Sequence, residues 1–165
     1  MIILPSDVRR VRKLALRLVR SIDPSYRIRW KVSPFTRYTW DGSGLLRTSE
    51  SDIILSLHDV AHVLLSSPAR RHLPEFGLGP DPANPSAAPR VVSGEDAQWE
   101  EDRVCELHWS LAVYFWGKEG GETVADYLGL ERDPLDKVSA FAERFPSLPK
   151  DFTSKILGAF GVTVP

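Results

Sequence analysis

The sequence predicts an α+β protein, mainly α, with a small sheet near its N-terminus. Two observations carry that reading. Apolar residues recur at helical spacing through most of the chain, and strand signals are confined to roughly residues 26–40. A first helix opens at Ser6-Asp7, and its stripe of Val11, Leu14, Leu18 and Ile22 ends at Asp23-Pro24-Ser25. Residues 26–32 alternate strictly, so Tyr26, Ile28, Trp30 and Val32 share the inner face of a half-buried strand. A second short strand is expected through Arg37-Tyr38-Thr39-Trp40, before the Asp41-Gly42-Ser43-Gly44 turn.

The next helix is expected from a cap at Ser49 or Ser51 to about Ser66, with Ile54, Leu57, Ala61 and Leu64/Leu65 buried. Proline interrupts the chain from Pro74 to Pro89, and a loop of about residues 74–92 follows from that, long enough to act as a functional cover. Ser93-Gly94-Glu95-Asp96 starts a third long helix that should end near Gly117 and Gly120-Gly121. Its apolar face holds Ala97, Val104, Leu107, Leu111, Tyr114 and Phe115. Shorter helices are expected over 122–130, 134–144 and about 151–160.

A length of 165 residues suits one domain, spanning 1–165. No apolar run reaches the roughly 18 residues of a membrane span, and the apolar start Met1-Ile2-Ile3-Leu4-Pro5 is too short for a signal peptide. A soluble, cytoplasmic protein is the expectation, with no membrane partner. Cys105 is the single cysteine, which rules out an intrachain disulfide and a cysteine-rich zinc site. It reads as an inert thiol, and His72 as a surface residue. Any metal must therefore be held by histidine and carboxylate.

Charge is unevenly spread. Residues 1–50 carry 11 Lys/Arg against 4 Asp/Glu, and residues 51–165 carry 10 against 18. The basic part includes Arg9, Arg10, Arg12, Lys13, Arg17, Arg20, Arg27, Arg29 and Lys31. Two readings stand: a solvated face that meets the acidic remainder of the same chain, or a docking face for an anionic partner such as nucleic acid or an acidic protein.

The chemistry-bearing motif is His58-Asp59-Val60-Ala61-His62. On a helix the four-residue spacing stacks both imidazoles on one face, as a divalent transition metal requires. A third ligand should come from another element. Glu100 is the choice, because it falls between Leu107 and Leu111 on the apolar face of the third helix, and a buried carboxylate is costly unless paired or metal-bound. Glu101, on the flank near His108, is the first alternative, followed by His108 and Glu95. Asp59 reads as a general base or as an orienting partner of a histidine. Two histidines and one carboxylate suit iron(II) or catalytic zinc.

The order of motifs resembles the elongation factor P hydroxylase family. His58-Asp59-Val60-Ala61-His62, Ser67-Pro68-Ala69-Arg70-Arg71, Phe76-Gly77 with Pro80-Asp81, Gln98-Trp99-Glu100 and Leu107-His108-Trp109 follow that family's sequence of motifs over about residues 50–110. Asp59 stands where the family has Glu, and Glu75 where it has Asp. The resemblance implies a zincin-like helical core with His58, His62 and Glu100 as iron ligands. It also implies monooxygenase chemistry on a protein substrate, with Arg70, Arg71 and Phe76 near that substrate. The resulting expectation is a non-haem iron(II)-dependent hydroxylase acting on a protein or other macromolecule. The rivals are a zinc-dependent hydrolase with Asp59 as base and a non-catalytic metal-binding interaction module.

Overall fold

The computed structural model describes residues 5–30, 39–48, 53–79 and 90–163. Within these it is mainly helical with one small sheet. Helix α1 (Pro5–Ile22) buries Val11, Leu14, Ala15, Leu18 and Val19. These five lie on one side when positions advance by about 100° per residue. Pro24 cannot continue the helix, and an Asp23 turn, with the Ser25 amide donating to Oδ1 at 2.8 Å, takes the chain away.

Strand β1 (Arg27–Arg29) keeps the expected alternation: Tyr26 is buried, Arg27 and Arg29 are exposed, and Ile28 and Trp30 are half-buried. Its partner is β2 (Leu45–Arg47), paired in parallel with Ile28 opposite Leu46. The second strand was expected at 37–40. Residues 37 and 38 lie outside the described residues, and Trp40 makes only an isolated antiparallel bridge to Leu46. The sheet therefore closes after the glycine turn, where Leu46 and Trp40 both reach full burial.

Helix α2 (Ser56–Leu65) follows a turn at residues 53–55. Its expected caps, Ser49 and Ser51, fall outside the described residues. Seven of its ten residues are buried; the three that are not are His58, Asp59 and His62. The helix is thus wedged into the core, packed on α1 on one side and on the following long helix on the other, with a single polar stripe left open. At its C-terminus the Ser66 amide and hydroxyl both satisfy the His62 carbonyl, at 3.0 and 2.7 Å.

Helix α3 (Gly94–Leu128) starts where the sequence indicates. The Asp96 amide donates to Ser93 Oγ at 2.9 Å, and that hydroxyl donates back to the Asp96 carboxylate at 2.7 Å. Gly117, at φ +66° and ψ −158°, interrupts it, so residues 118–128 fold back on 94–116. The return is tight: a Cβ on Gly121 would lie 2.5 Å from Val113 Cγ2. Helices α4 (Val138–Arg144) and α5 (Phe152–Ala159) complete the chain, with Phe152 and Ile156 buried. No helix among the described residues is long and apolar enough to cross a membrane.

Candidate metal centre

The open stripe of α2 faces the first turns of α3 across a cleft of about 600 Å³. Helical geometry stacks His58 on His62, and both Nε2 atoms turn the same way, 3.2 Å apart. Glu101 meets them from α3, with Oε1 at 2.9 Å from His58 Nε2 and Oε2 at 3.2 Å from His62 Nε2. The three side chains offer one donor atom each, all within 4.8 Å of one another. Two nitrogens about 2.1 Å from a shared metal and 3.2 Å apart subtend about 100° there, a normal angle for a transition-metal site. Among the described residues, these three form the cluster with metal-ligand spacing.

The electrostatics match a cation-binding carboxylate. Burial pushes the Glu101 carboxyl pKa up, but hydrogen bonds and charge from His58 and His62 outweigh it and hold that pKa well below the usual carboxylate range. Both imidazole Nε2 atoms face the Glu101 carboxylate, so the three side chains present their donor atoms to one another and to one point. His62 Nδ1 is buried without a hydrogen-bond partner among the described residues. Its ring instead lies parallel to Phe76, with centroids 5.7 Å apart.

Glu100, the expected third ligand, is elsewhere. Its carboxylate is 9% exposed and pairs with the Arg70 guanidinium, while the Ser66 hydroxyl, whose one proton is shared with the His62 carbonyl, lies 3.1 Å from Oε1. A buried carboxylate is satisfied equally by a metal or by an arginine. Here the arginine takes Glu100, and the flank position Glu101 reaches the histidines. Arg70 also donates to the Phe76 carbonyl at 3.1 Å. Arg71 donates to the Val63 and Leu64 carbonyls at the end of α2, at 3.3 and 3.4 Å. Neither arginine lines the cleft, so both act in holding the site's framework.

Phe76 and Asp59 do line it. Asp59 Oδ2 accepts from the Thr48 hydroxyl at 2.8 Å. Phe76 sits between His62 and Trp40, parallel to both, 5.2 Å from Trp40. It is held there by a left-handed turn in which Glu75, Phe76 and Gly77 have φ of +46°, +55° and +68°. Such backbone costs about 1–3 kcal/mol per non-glycine residue and persists only where surroundings impose it. The Glu75 carboxylate supplies that restraint by accepting from the Thr39 and Trp40 amides.

His108, a lesser candidate for the third ligand, is not part of the cluster. It is fully buried, its Nε2 donates to the Ile54 carbonyl at 2.8 Å, and its ring stands edge-on to His58 at 5.5 Å. Burial, with repulsion from His58, pushes it down to about 3, so the ring is neutral. Its seven-residue offset from Glu101, two helical turns, is the signal that marks this flank of α3 as the one facing α2. Burial and nearby carboxylates push the Cys105 thiol up to about 12, which leaves it inert. His72 is exposed. No protein-family model, curated protein or solved structure matches the chain.

Proposed function

We propose that the chain is a non-haem iron(II)-dependent hydroxylase acting on a side chain of a protein or other macromolecule, with His58, His62 and Glu101 as the metal ligands. The observation that carries this reading is the convergence of two imidazole nitrogens and one carboxylate at the wall of an open cleft. Three protein ligands on one side leave the other side for small molecules, the pattern of catalytic rather than closed structural sites. The resemblance to the elongation factor P hydroxylases supports the same chemistry, with Glu101 taking the role expected of Glu100.

Bound iron(II) would supply activation of dioxygen for hydroxylation of a C–H bond, a reaction that also consumes two electrons from a reductant and releases water. The chain's own residues bind and orient. Phe76 walls one side of His62, and Thr48 fixes the Asp59 carboxylate beside His58. Arg90, Gln98 and Glu75 line the remaining cleft and would meet the substrate.

A zinc hydrolase on the same ligands is the second reading. It is favoured by one observation: the Asp59 carboxylate lines the same cleft as the three ligands and would serve as the general base. Metal analysis after anaerobic purification separates the two. About one iron per chain, lost in His58→Ala and Glu101→Gln but kept in Glu100→Gln, together with oxygen consumption, supports the hydroxylase. Stoichiometric zinc with oxygen-independent turnover supports the hydrolase. Metal retained in both ligand variants refutes the site.

A further inference from the structure

We propose that the outward face of α1, continued along β1, is a docking track for a nucleic-acid phosphate backbone. Arg9, Arg10, Lys13, Arg17 and Arg20 are all exposed. At about 100° per residue they fall within an arc of roughly 100°, opposite the buried stripe. The row covers about 16 Å of helix axis. The Arg20 Nε donates to the Tyr26 carbonyl at 3.3 Å, which brings the end of the row against β1, where Arg27 and Arg29 are also exposed. The track is therefore continuous across two elements.

The acidic side chains among the described residues leave most of it unpaired. Among the described residues, Arg9, Lys13, Arg17, Arg27 and Arg29 make no ion pair; Arg10 alone on this face does, with Asp7 at 3.5 Å. Like charges one turn apart destabilise a helix by about 0.2–0.5 kcal/mol per pair, and Arg9, Lys13 and Arg17 have no ion pair among the described residues to offset it.

The chemistry selects the partner. Six of these seven cations are arginines, whose planar forks match phosphate oxygens. A lipid surface would require exposed apolar residues on α1, and those residues are buried in the core. A protein interface would require an apolar or aromatic anchor. Among the described residues, the exposed large hydrophobic ones, Val91, Trp99, Tyr127 and Val162, all lie outside α1 and β1. A linear row of cations without anchors fits a regularly charged backbone, which presents one phosphate per about 3.4 Å of each strand.

The track stands independently of the metal reading. Its test is fluorescence anisotropy with a labelled single-stranded DNA and its duplex, at several salt concentrations, with the full chain. The wild type should bind with a steep salt dependence. The triple variant Arg9→Gln/Lys13→Gln/Arg17→Gln should lose about 10²-fold or more in affinity near 0.1 M salt, with the log–log slope reduced by about 2–3. Arg27→Gln/Arg29→Gln should lose less, in the same direction. Circular dichroism of both variants checks that the fold is kept. Absence of wild-type binding at low salt, or variants that bind as tightly as wild type, would overturn the proposal. So would equal competition by polyglutamate, which would assign the face to an acidic protein.

Discussion

The adjacent glutamates of α3 do separate jobs, and removing Arg70 tests this most directly. Arg70 and Glu100 are 15% and 9% exposed at their side chains and pair with each other. Arg70→Met keeps most of the apolar stem but leaves the Glu100 carboxylate facing the core with only the Ser66 hydroxyl as donor. Breaking such a buried pair typically costs about 3–5 kcal/mol. The remaining Ser66 bond places the expected loss at the lower end, about 3 kcal/mol, or roughly 6–12 °C in Tm for a chain of this size. Replacing both residues, Arg70→Met with Glu100→Met, should recover most of the loss, because no charge is then stranded. Urea unfolding of the two single variants and the double variant gives the coupling by a double-mutant cycle. Metal content of each folded variant should stay at the wild-type level. A loss under about 1 kcal/mol for Arg70→Met, or a cycle that closes without coupling, would refute the assignment of Glu100 to Arg70.

Three further outcomes are expected. The chelator-treated protein should lose about 2–3 kcal/mol between pH about 7 and about 4.5 through His108 alone. The folded ring stays neutral down to about 3, whereas the unfolded ring takes a proton near 6.5; the unfolded state binds more protons, so stability falls as pH falls. Urea titrations should show that component missing in His108→Gln, and an unchanged pH slope would count against it. Gly121→Ala should cost about 1–3 kcal/mol, because its Cβ would press on Val113 and Trp109, whereas Gly158→Ala, whose Cβ meets open space, should be neutral or stabilising in thermal melts. Phe76→Leu removes the ring that lies against His62 and should weaken metal binding by about tenfold in competition with a chelator dye; unchanged affinity would show that the stacking does not orient the imidazole.

Much of this fold is legible in the sequence because it is written locally. The α1 stripe, the Ser93 cap and the helix break at Gly117 each follow from a few neighbouring residues. Strand β2 does not, because Leu45-Leu46-Arg47 is too short to show alternation and gains its place only by pairing with β1. The centre divides in the same way. The His58/His62 spacing is local, and the structure aims both rings at one point. The third donor depends on which of two carboxylates meets a cation supplied thirty residues away, and nothing in the spacing of α3 records that Arg70 reaches Glu100. The backbone at Glu75 and Phe76 is likewise non-local, imposed by amides of Thr39 and Trp40.

The pairing of neighbouring glutamates with different partners also limits where this chain can change length. Successive residues of a helix project about 100° apart. Glu100 aimed at Arg70 and Glu101 aimed at the histidines together fix the azimuth of α3, and His108 locks it again two turns later against Ile54. One residue inserted between Glu101 and His108 would swing one anchor away from the other, and no side-chain adjustment could satisfy both. Any relative that keeps this centre should therefore hold the Glu100-to-His108 interval constant.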